Sequence, residues 1–244
     1  MIRPVLFVGG LDSSGGAGLL RDAATAAVLD QPARVAATAV TAQGTGGVAA
    51  VHPVPPGTVA AQIGLAAQEG LATVKIGMLA TAATVAAVAS ALPPGVPMVL
   101  DPVLRASSGG VLLKPDGLAA LLALLVPRAA LLTPNIPELA AIGGALGLPS
   151  GAAEDLVVQG LLDAGCGAVL VKGGHRDTPA ICEDRLYRGG HDPVAMRAPR
   201  LARTLRGTGC HLASAIAVHV GRGAGMAEAV ALARDHLRAR FEAG

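Results

Sequence analysis

The residues Arg206-Gly207-Thr208-Gly209-Cys210 are of types that could do chemistry together, and the Ala-rich run Leu212 to Val220 follows them. Two glycines around a threonine, directly before a helical pattern, place several backbone N–H groups at a helix N-terminus. Those donors and the helix dipole suit a phosphate or a developing anion. Cys210 falls at the start of that helix, where a thiol loses its proton more easily than in water. The plainer reading is a Gly-rich turn feeding a core helix with a buried cysteine, and this stretch alone does not separate the two.

Other candidates stand where apolar runs end. Asp101-Pro102-Val103 closes the run Pro97 to Leu100, and an acid at the C-terminal end of a parallel strand lies where open α/β sheets bind ligands. Asn135 and Glu138 stand three apart at a helix start and share a face. An N-cap with a first-turn acid explains both without a ligand. Gln43 follows a strand and precedes glycines, so it either points a flat amide at a ligand or serves the turn. Arg21 and Asp22, one turn into a helix, read on their own as solvated charges. Lysine is scarce: Lys75, Lys114 and Lys172 stand against sixteen arginines, so each retained lysine invites a reason.

The elements that must hold these residues alternate. Strands are expected over Pro4 to Val8, Arg34 to Thr41, Thr73 to Gly77, Pro97 to Leu100, Ala129 to Leu132 and Ala168 to Val171. Helices are expected over Gly16 to Leu29, Pro56 to Gly70, Thr81 to Leu92, Pro115 to Val126, Glu154 to Ala164 and Met226 to Phe241. Val48 to Val54 reads as a short strand that crosses or caps the main sheet. Ile181 to Tyr187 and Pro193 to Arg197 read as a hairpin turning at Arg188-Gly189-Gly190. This alternation implies an α/β fold with a mostly parallel sheet covered on both faces. The polar motifs then gather along one sheet edge, so one site fed by several loops is the simplest account.

No repeat or linker divides the 244 residues, and one domain over 1–244 is expected. A net charge of +2 with dispersed arginines and three aromatic residues argues against nucleic-acid binding. Three cysteines without metal-ligand spacing indicate neither disulfides nor a zinc site and fit a reducing cytoplasm. The run Ala80 to Leu92 stops at Pro93-Pro94, short of a membrane span, so a soluble protein is expected. The loop Leu11 to Gly18 lacks the Lys-Ser/Thr ending of a P-loop and the spacing of a dinucleotide fingerprint.

Taken together, the loops resemble those of the hydroxymethylpyrimidine/phosphomethylpyrimidine kinases of thiamine biosynthesis, in the ribokinase-like superfamily. The resemblance runs from Val5 to about Ala233. It rests on Gly10-x-Asp12-x-Ser14-Gly15-Gly16-Ala17-Gly18, Gln43, Lys75-Ile76-Gly77-Met78-Leu79, Asp101-Pro102-Val103, Thr133-Pro134-Asn135-x-Pro137-Glu138, Lys172-Gly173-Gly174-His175 and Gly207-Thr208-Gly209-Cys210. It implies a three-layer α/β/α kinase using ATP and Mg²⁺ on 4-amino-5-hydroxymethyl-2-methylpyrimidine and then on its monophosphate. By the matching positions, Gly10, Asp22, Gln43, Met78 and Val103 would line the pyrimidine pocket. Asn135 and Glu138 would hold Mg²⁺, and Lys172, with Asn135, would meet the nucleotide phosphates. Cys210 would be the base, with the N–H groups of Gly207, Thr208, Gly209 and Cys210 as the anion hole. Relatives of this kind are often homodimers.

The chain departs from the family pattern at Ser13, Gly44, Ser107 and Arg206, where Pro, Asn, Lys and His are usual. Arg206 replaces His beside the anion hole while Ser107 replaces a Lys, so Arg206 is expected to contact phosphate in place of the missing lysine. Two alternatives remain at this stage: a kinase for pyridoxal or a related small alcohol, and a pyrimidine-binding module without catalysis.

Overall fold

The computed structural model describes residues 2–44, 46–106, 109–175, 180–200 and 205–243. Ser107, one of the departures above, lies outside the described residues.

The chain begins with β1 (Val5–Asp12), α1 (Gly18–Val28), β2 (Ala33–Gly44), β3 (Gly47–Pro53) and α2 (Pro56–Gln68). It continues through β4 (Thr73–Ile76), α3 (Ala82–Ala91), β5 (Met98–Leu100), α4 (Pro115–Leu124) and β6 (Leu131–Leu132). Next come α5 (Ile136–Ala145), α6 (Glu154–Asp163), β7 (Ala168–Val171) and the hairpin β8 (Ile181–Arg188) and β9 (His191–Pro199). The helices α7 (Thr208–Gly221) and α8 (Met226–Ala243) end it.

Among the described residues one sheet runs in the order β3-β2-β1-β4-β5-β6-β7-β8-β9. The six strands from β2 to β7 in that order are parallel, while β3, β8 and β9 join antiparallel at the two ends. Side chains alternate across each strand and so feed two separate cores. Leu6 and Val8 pack with the helices α2 to α6 on one face, whereas Val5 and Phe7 pack with α1, α7 and α8 on the other. The expected three-layer α/β/α arrangement follows from this division.

Several helix starts are written in local chemistry. Pro56 and Pro115 open α2 and α4, where a missing N–H costs nothing. The Thr81 hydroxyl accepts from the Thr84 N–H to cap α3. Asn135 and Glu138 form a reciprocal capping box at α5, each side chain taking the other's backbone N–H at 2.8 Å.

Several boundaries differ from expectation, beginning with β1, which runs past Val8 to Asp12 because it pairs with β2 that far. The first helix starts at Gly18 rather than Gly16, because the Asp12 carboxylate holds the Ala17 N–H and keeps the loop open for two further residues. Strand β2 runs on to Gly44 because β3 pairs along it, so Val48 to Val54 extends the sheet edge rather than crossing or capping it. The strand expected from Ala129 shrinks to Leu131–Leu132, since the 3-10 turn Val126–Arg128 delays its pairing. The hairpin is longer than expected and turns at Gly189-Gly190. No helix among the described residues is long and apolar enough to cross a membrane.

Candidate active site

Two Gly-rich loops meet at the C-terminal ends of the parallel strands. Asp12, at the end of β1, organises the first: its Oδ1 accepts from the Ser14 N–H at 2.9 Å and the Ser14 hydroxyl at 2.8 Å. Its Oδ2 accepts from the Ala17 N–H at 3.0 Å and from Arg206 at 3.3 Å. Arg206 also donates to the Ser14 hydroxyl at 3.1 Å, so it bridges the second loop to the first. Gly207 then takes φ +70°, and a Cβ there would collide with the Gly16 carbonyl. Only glycine permits this conformation and this approach. Its position as N-cap of α7 leaves the N–H groups of Thr208, Gly209 and Cys210 without intrahelical partners. No acidic side chain occupies that first turn, so its partial positive charge faces the cleft uncompensated.

Beneath this turn lie buried ion pairs. Lys75 Nζ reaches the Asp22 carboxylate oxygens at 3.0 and 3.1 Å, and the Ser214 hydroxyl donates to Asp22 at 2.8 Å. Lys172 Nζ donates to Asp101 at 2.7 Å and lies 3.9 Å from Glu138, while Thr133 donates to Asp101 at 3.0 Å. A Cβ on Gly209 would stand 3.4 Å from Lys172 Nζ and 3.9 Å from Asp101. The helix start therefore rests directly on this pair. Burial alone would push the Asp101 carboxyl up, but Lys172 and Lys75 together hold it below the ordinary range. Burial opposes the Lys172 charge too, and Asp101 with Glu138 outweighs it. Glu138 is pushed up to about 7, chiefly by burial and against the pull of Lys172.

The Cys210 thiol requires a correction. The helix N-terminus led to the expectation of an easily lost proton, yet burial pushes this thiol above its ordinary value. The Lys75 ammonium and the Gly18 N–H offset part of that rise, while the Asp22 and Asp101 charges add to it. Desolvation of the thiolate wins over the favourable dipoles.

The candidates assigned site roles from the sequence, Asp22 included but not its neighbour Arg21, line one cleft of about 1630 Å³. At one end Met78 and Ala106 join Ala39 and Leu112 in an apolar cluster, with Val48 and Val103 packed against it. A Cβ on Gly10 would stand 2.8 Å from the Met78 sulfur, so this wall lies against bare β1 backbone. Gln43 stands half-buried at the rim, its backbone N–H on Ser13 and its side-chain oxygen 3.5 Å from Thr41. Asp22 is placed otherwise than expected. It is fully buried, and its oxygens are engaged by Lys75 and Ser214, so it supports the floor instead of presenting a free acceptor. Asn135 spends Oδ1 on the cap of α5, and Lys172 is held by Asp101 rather than mobile. At the far end Asp184 accepts from the Gly173 N–H at 2.7 Å and pairs with Arg234, fixing the loop after Lys172.

Asp12, Lys75, Asp101 and Ser214 carry structural roles that the motif reading left unassigned. Ser214 was findable: it lies four residues after Cys210 on α7 and therefore on the same face.

The comparisons with known proteins agree with this geometry. A family model described as phosphomethylpyrimidine kinase matches residues 12–244. A hydroxymethylpyrimidine/phosphomethylpyrimidine kinase of Rhizobium meliloti is 38% identical over 246 residues, covering 100% of this chain and 92% of the relative. The crystal structure of a phosphomethylpyrimidine kinase from Clostridium difficile is similar at 31% identity with a TM-score of 0.81, covering 98% of this chain and 99% of that one. A pyridoxal kinase from Staphylococcus aureus, solved in complex with pyridoxal, is similar at 26% identity with a TM-score of 0.87, covering 99% and 88%. With its loops, its ribokinase-like layers and its full-length likeness all in accord, this chain belongs to the phosphomethylpyrimidine kinase family.

Proposed function

We propose that this chain transfers the γ-phosphoryl group of ATP to the hydroxymethyl oxygen of 4-amino-5-hydroxymethyl-2-methylpyrimidine, and then to the phosphate of the resulting monophosphate, in thiamine biosynthesis. The observation that carries the reading is that the bare α7 N-terminus, Cys210 and Lys172 line one cleft together with an apolar wall. A flat heteroaromatic ring suits the wall at Met78 and Val103, with Gln43 at its polar edge. Small-ligand pockets are commonly about 300–1,000 Å³, so a cleft of about 1630 Å³ has room for the ring and a nucleotide together.

In this reading the substrate hydroxyl gives its proton to the Cys210 thiolate as its oxygen forms a bond to phosphorus and the bond to ADP breaks. The N–H groups of Thr208, Gly209 and Cys210 receive the charge on the transferring oxygens. Lys172 and Arg206 add cationic donors on either side. Loose phosphoryl transfer depends on such positioning more than on a strong base, so the reaction tolerates a Cys210 that burial leaves as thiolate in only a fraction of the molecules.

Among the described residues no group of three or more His, Cys, Asp or Glu could hold a metal ion alone. Mg²⁺ does not require one, since it is usually held by one or two carboxylates with phosphates and water. The buried Glu138 carboxyl fits as its protein ligand, since a bound cation would favour the carboxylate form that burial disfavours. Asn135 fits as a supporting group that fixes Glu138 through the capping box. The ion, when bound, would neutralise phosphate charge.

The test is an ATP-consumption assay with the pyrimidine alcohol, its monophosphate and pyridoxal scored separately. Turnover of both pyrimidines at rates well above pyridoxal is expected. Preference for pyridoxal, the reading favoured by the TM-score of 0.87, would replace the pyrimidine assignment. No turnover with tight pyrimidine binding would reduce the chain to a binding module.

A further inference from the structure

Outside the cleft lining, Arg21 of α1, His211 of α7 and His236 and Arg240 of α8 are grouped, the other three acting on His211. Thr25 gives its hydroxyl hydrogen to the Arg21 carbonyl at 2.8 Å, so His211, 4% exposed in α7, donates to Thr25 through Nδ1–H at 3.0 Å and leaves Nε2 as a buried acceptor without a partner. Its ring stacks on His236 with centroids 5.6 Å apart, and His236 Nδ1 is likewise buried and unpartnered. Arg21 donates one nitrogen to the Gly15 carbonyl at 3.2 Å, leaving Nε buried and unpartnered. Arg240 donates to the Arg206 carbonyl at 3.2 Å, leaving one terminal nitrogen in the same condition. Among the described residues none of the four pairs with a carboxylate.

This arrangement is costly in two ways. A buried donor or acceptor without a partner forfeits its hydration, and the more so when charged. Native interiors leave few such groups, and several together call for a missing ion or water. The two guanidiniums also repel. Burial, with Arg240, His236 and Arg21, pushes His211 down to about 4, and burial with Arg21 pushes Arg240 below its ordinary value. Water would satisfy the donors and leave the repulsion. A hydrogen phosphate ion removes both costs, because its oxygens accept from the guanidinium N–H groups, its hydroxyl can donate to His211 Nε2, and its charge offsets the guanidiniums.

We propose that Arg21, His211, His236 and Arg240 form a binding site for a phosphate-class oxyanion, inorganic phosphate or diphosphate, separate from the substrate cleft. The same two arginines hold the Gly15 and Arg206 carbonyls, one in each Gly-rich loop, so the bound anion fixes the two turns that shape the cleft. Recognition at this site does not depend on which alcohol the chain phosphorylates.

Calorimetric titration with inorganic phosphate, with the cleft saturated by a non-hydrolysable ATP analogue and Mg²⁺, tests the site. One phosphate per chain is expected in the natural protein. Arg240→Gln should weaken it at least about tenfold, the loss expected for a charged hydrogen bond. Arg34→Gln, at an exposed pair with Glu69, should bind as the natural protein does. Absence of binding at millimolar phosphate, loss of binding once the analogue fills the cleft, or equal affinity in Arg240→Gln would each overturn the proposal. Should Arg240→Gln fail to fold, crystals of the natural protein soaked in selenate decide the matter. An anomalous peak between Arg21 and Arg240 supports the site, and ordered water alone there overturns it.

Discussion

At Cys210 two environments compete for one thiol, and burial prevails over the helix start. In the proposed reaction only the Cys210 thiolate accepts the proton, so its contribution to rate would be fully expressed above its raised pKa and fall as pH drops below it. The value of kcat/KM should therefore climb with pH through neutrality, by about tenfold per unit if no other group intervenes. A plateau already reached at neutral pH would show that Cys210 is not the titrating base. Cys210→Ser should lower kcat by roughly two to four decades, the usual worth of a positioned base, with nucleotide affinity retained. Near-normal turnover in that variant would make Cys210 a packing residue. Below it, Lys75 and Asp22 act as a unit. Lys75→Met strands a buried carboxylate and should cost about 3–5 kcal/mol of stability, whereas adding Asp22→Asn should recover most of that loss. Denaturant unfolding of the three proteins checks it, and a double variant as unstable as the single one would mean that the pair is not coupled.

At the scale of elements, the seat of α7 joins sequence to function. Gly207 supplies the left-handed turn, Asp12 anchors the first loop, and Arg206 ties the two together. The Arg206 guanidinium keeps further N–H donors beyond those given to Asp12 and Ser14, so it can meet a phosphate while staying tethered. Arg206→His should accordingly reduce the rate on the monophosphate more than on the alcohol, because only the monophosphate carries the additional anion. Equal losses on both substrates would assign Arg206 to loop anchoring alone. These loops were legible in the chain because each is local: a glycine run, a cap, an acid after an apolar run. The bonds among them were not. Asp12 to Arg206 spans 194 residues and Lys75 to Asp22 spans 53, and no local pattern encodes such a pairing. The strands β5 and β6 were readable as apolar runs, but their lengths are set by neighbours and not by their own residues.

For the molecule as a whole, strand order places the reaction. From β1 the chain goes outward to β2 and β3, then returns to lay β4 on the other side of β1. Where the direction reverses, the loops after neighbouring strands diverge and leave a crevice at their C-terminal ends. Gly10 and Met78, which follow β1 and β4, stand at that crevice and begin the apolar wall. Lys172, at the end of β7, lies three strand positions further along the same edge from β4, with the α7 N-terminus between them. On the proposed function, alcohol and nucleotide would share this one cleft, with Cys210 between them. Direct transfer between two bound substrates needs no phosphorylated enzyme. Initial rates measured over a grid of ATP and pyrimidine concentrations should therefore give intersecting double-reciprocal lines, and no ADP should be released from ATP before the alcohol is added. Parallel lines with stoichiometric ADP release in the absence of alcohol would instead mean that Cys210 carries the phosphoryl group, and direct transfer would be wrong.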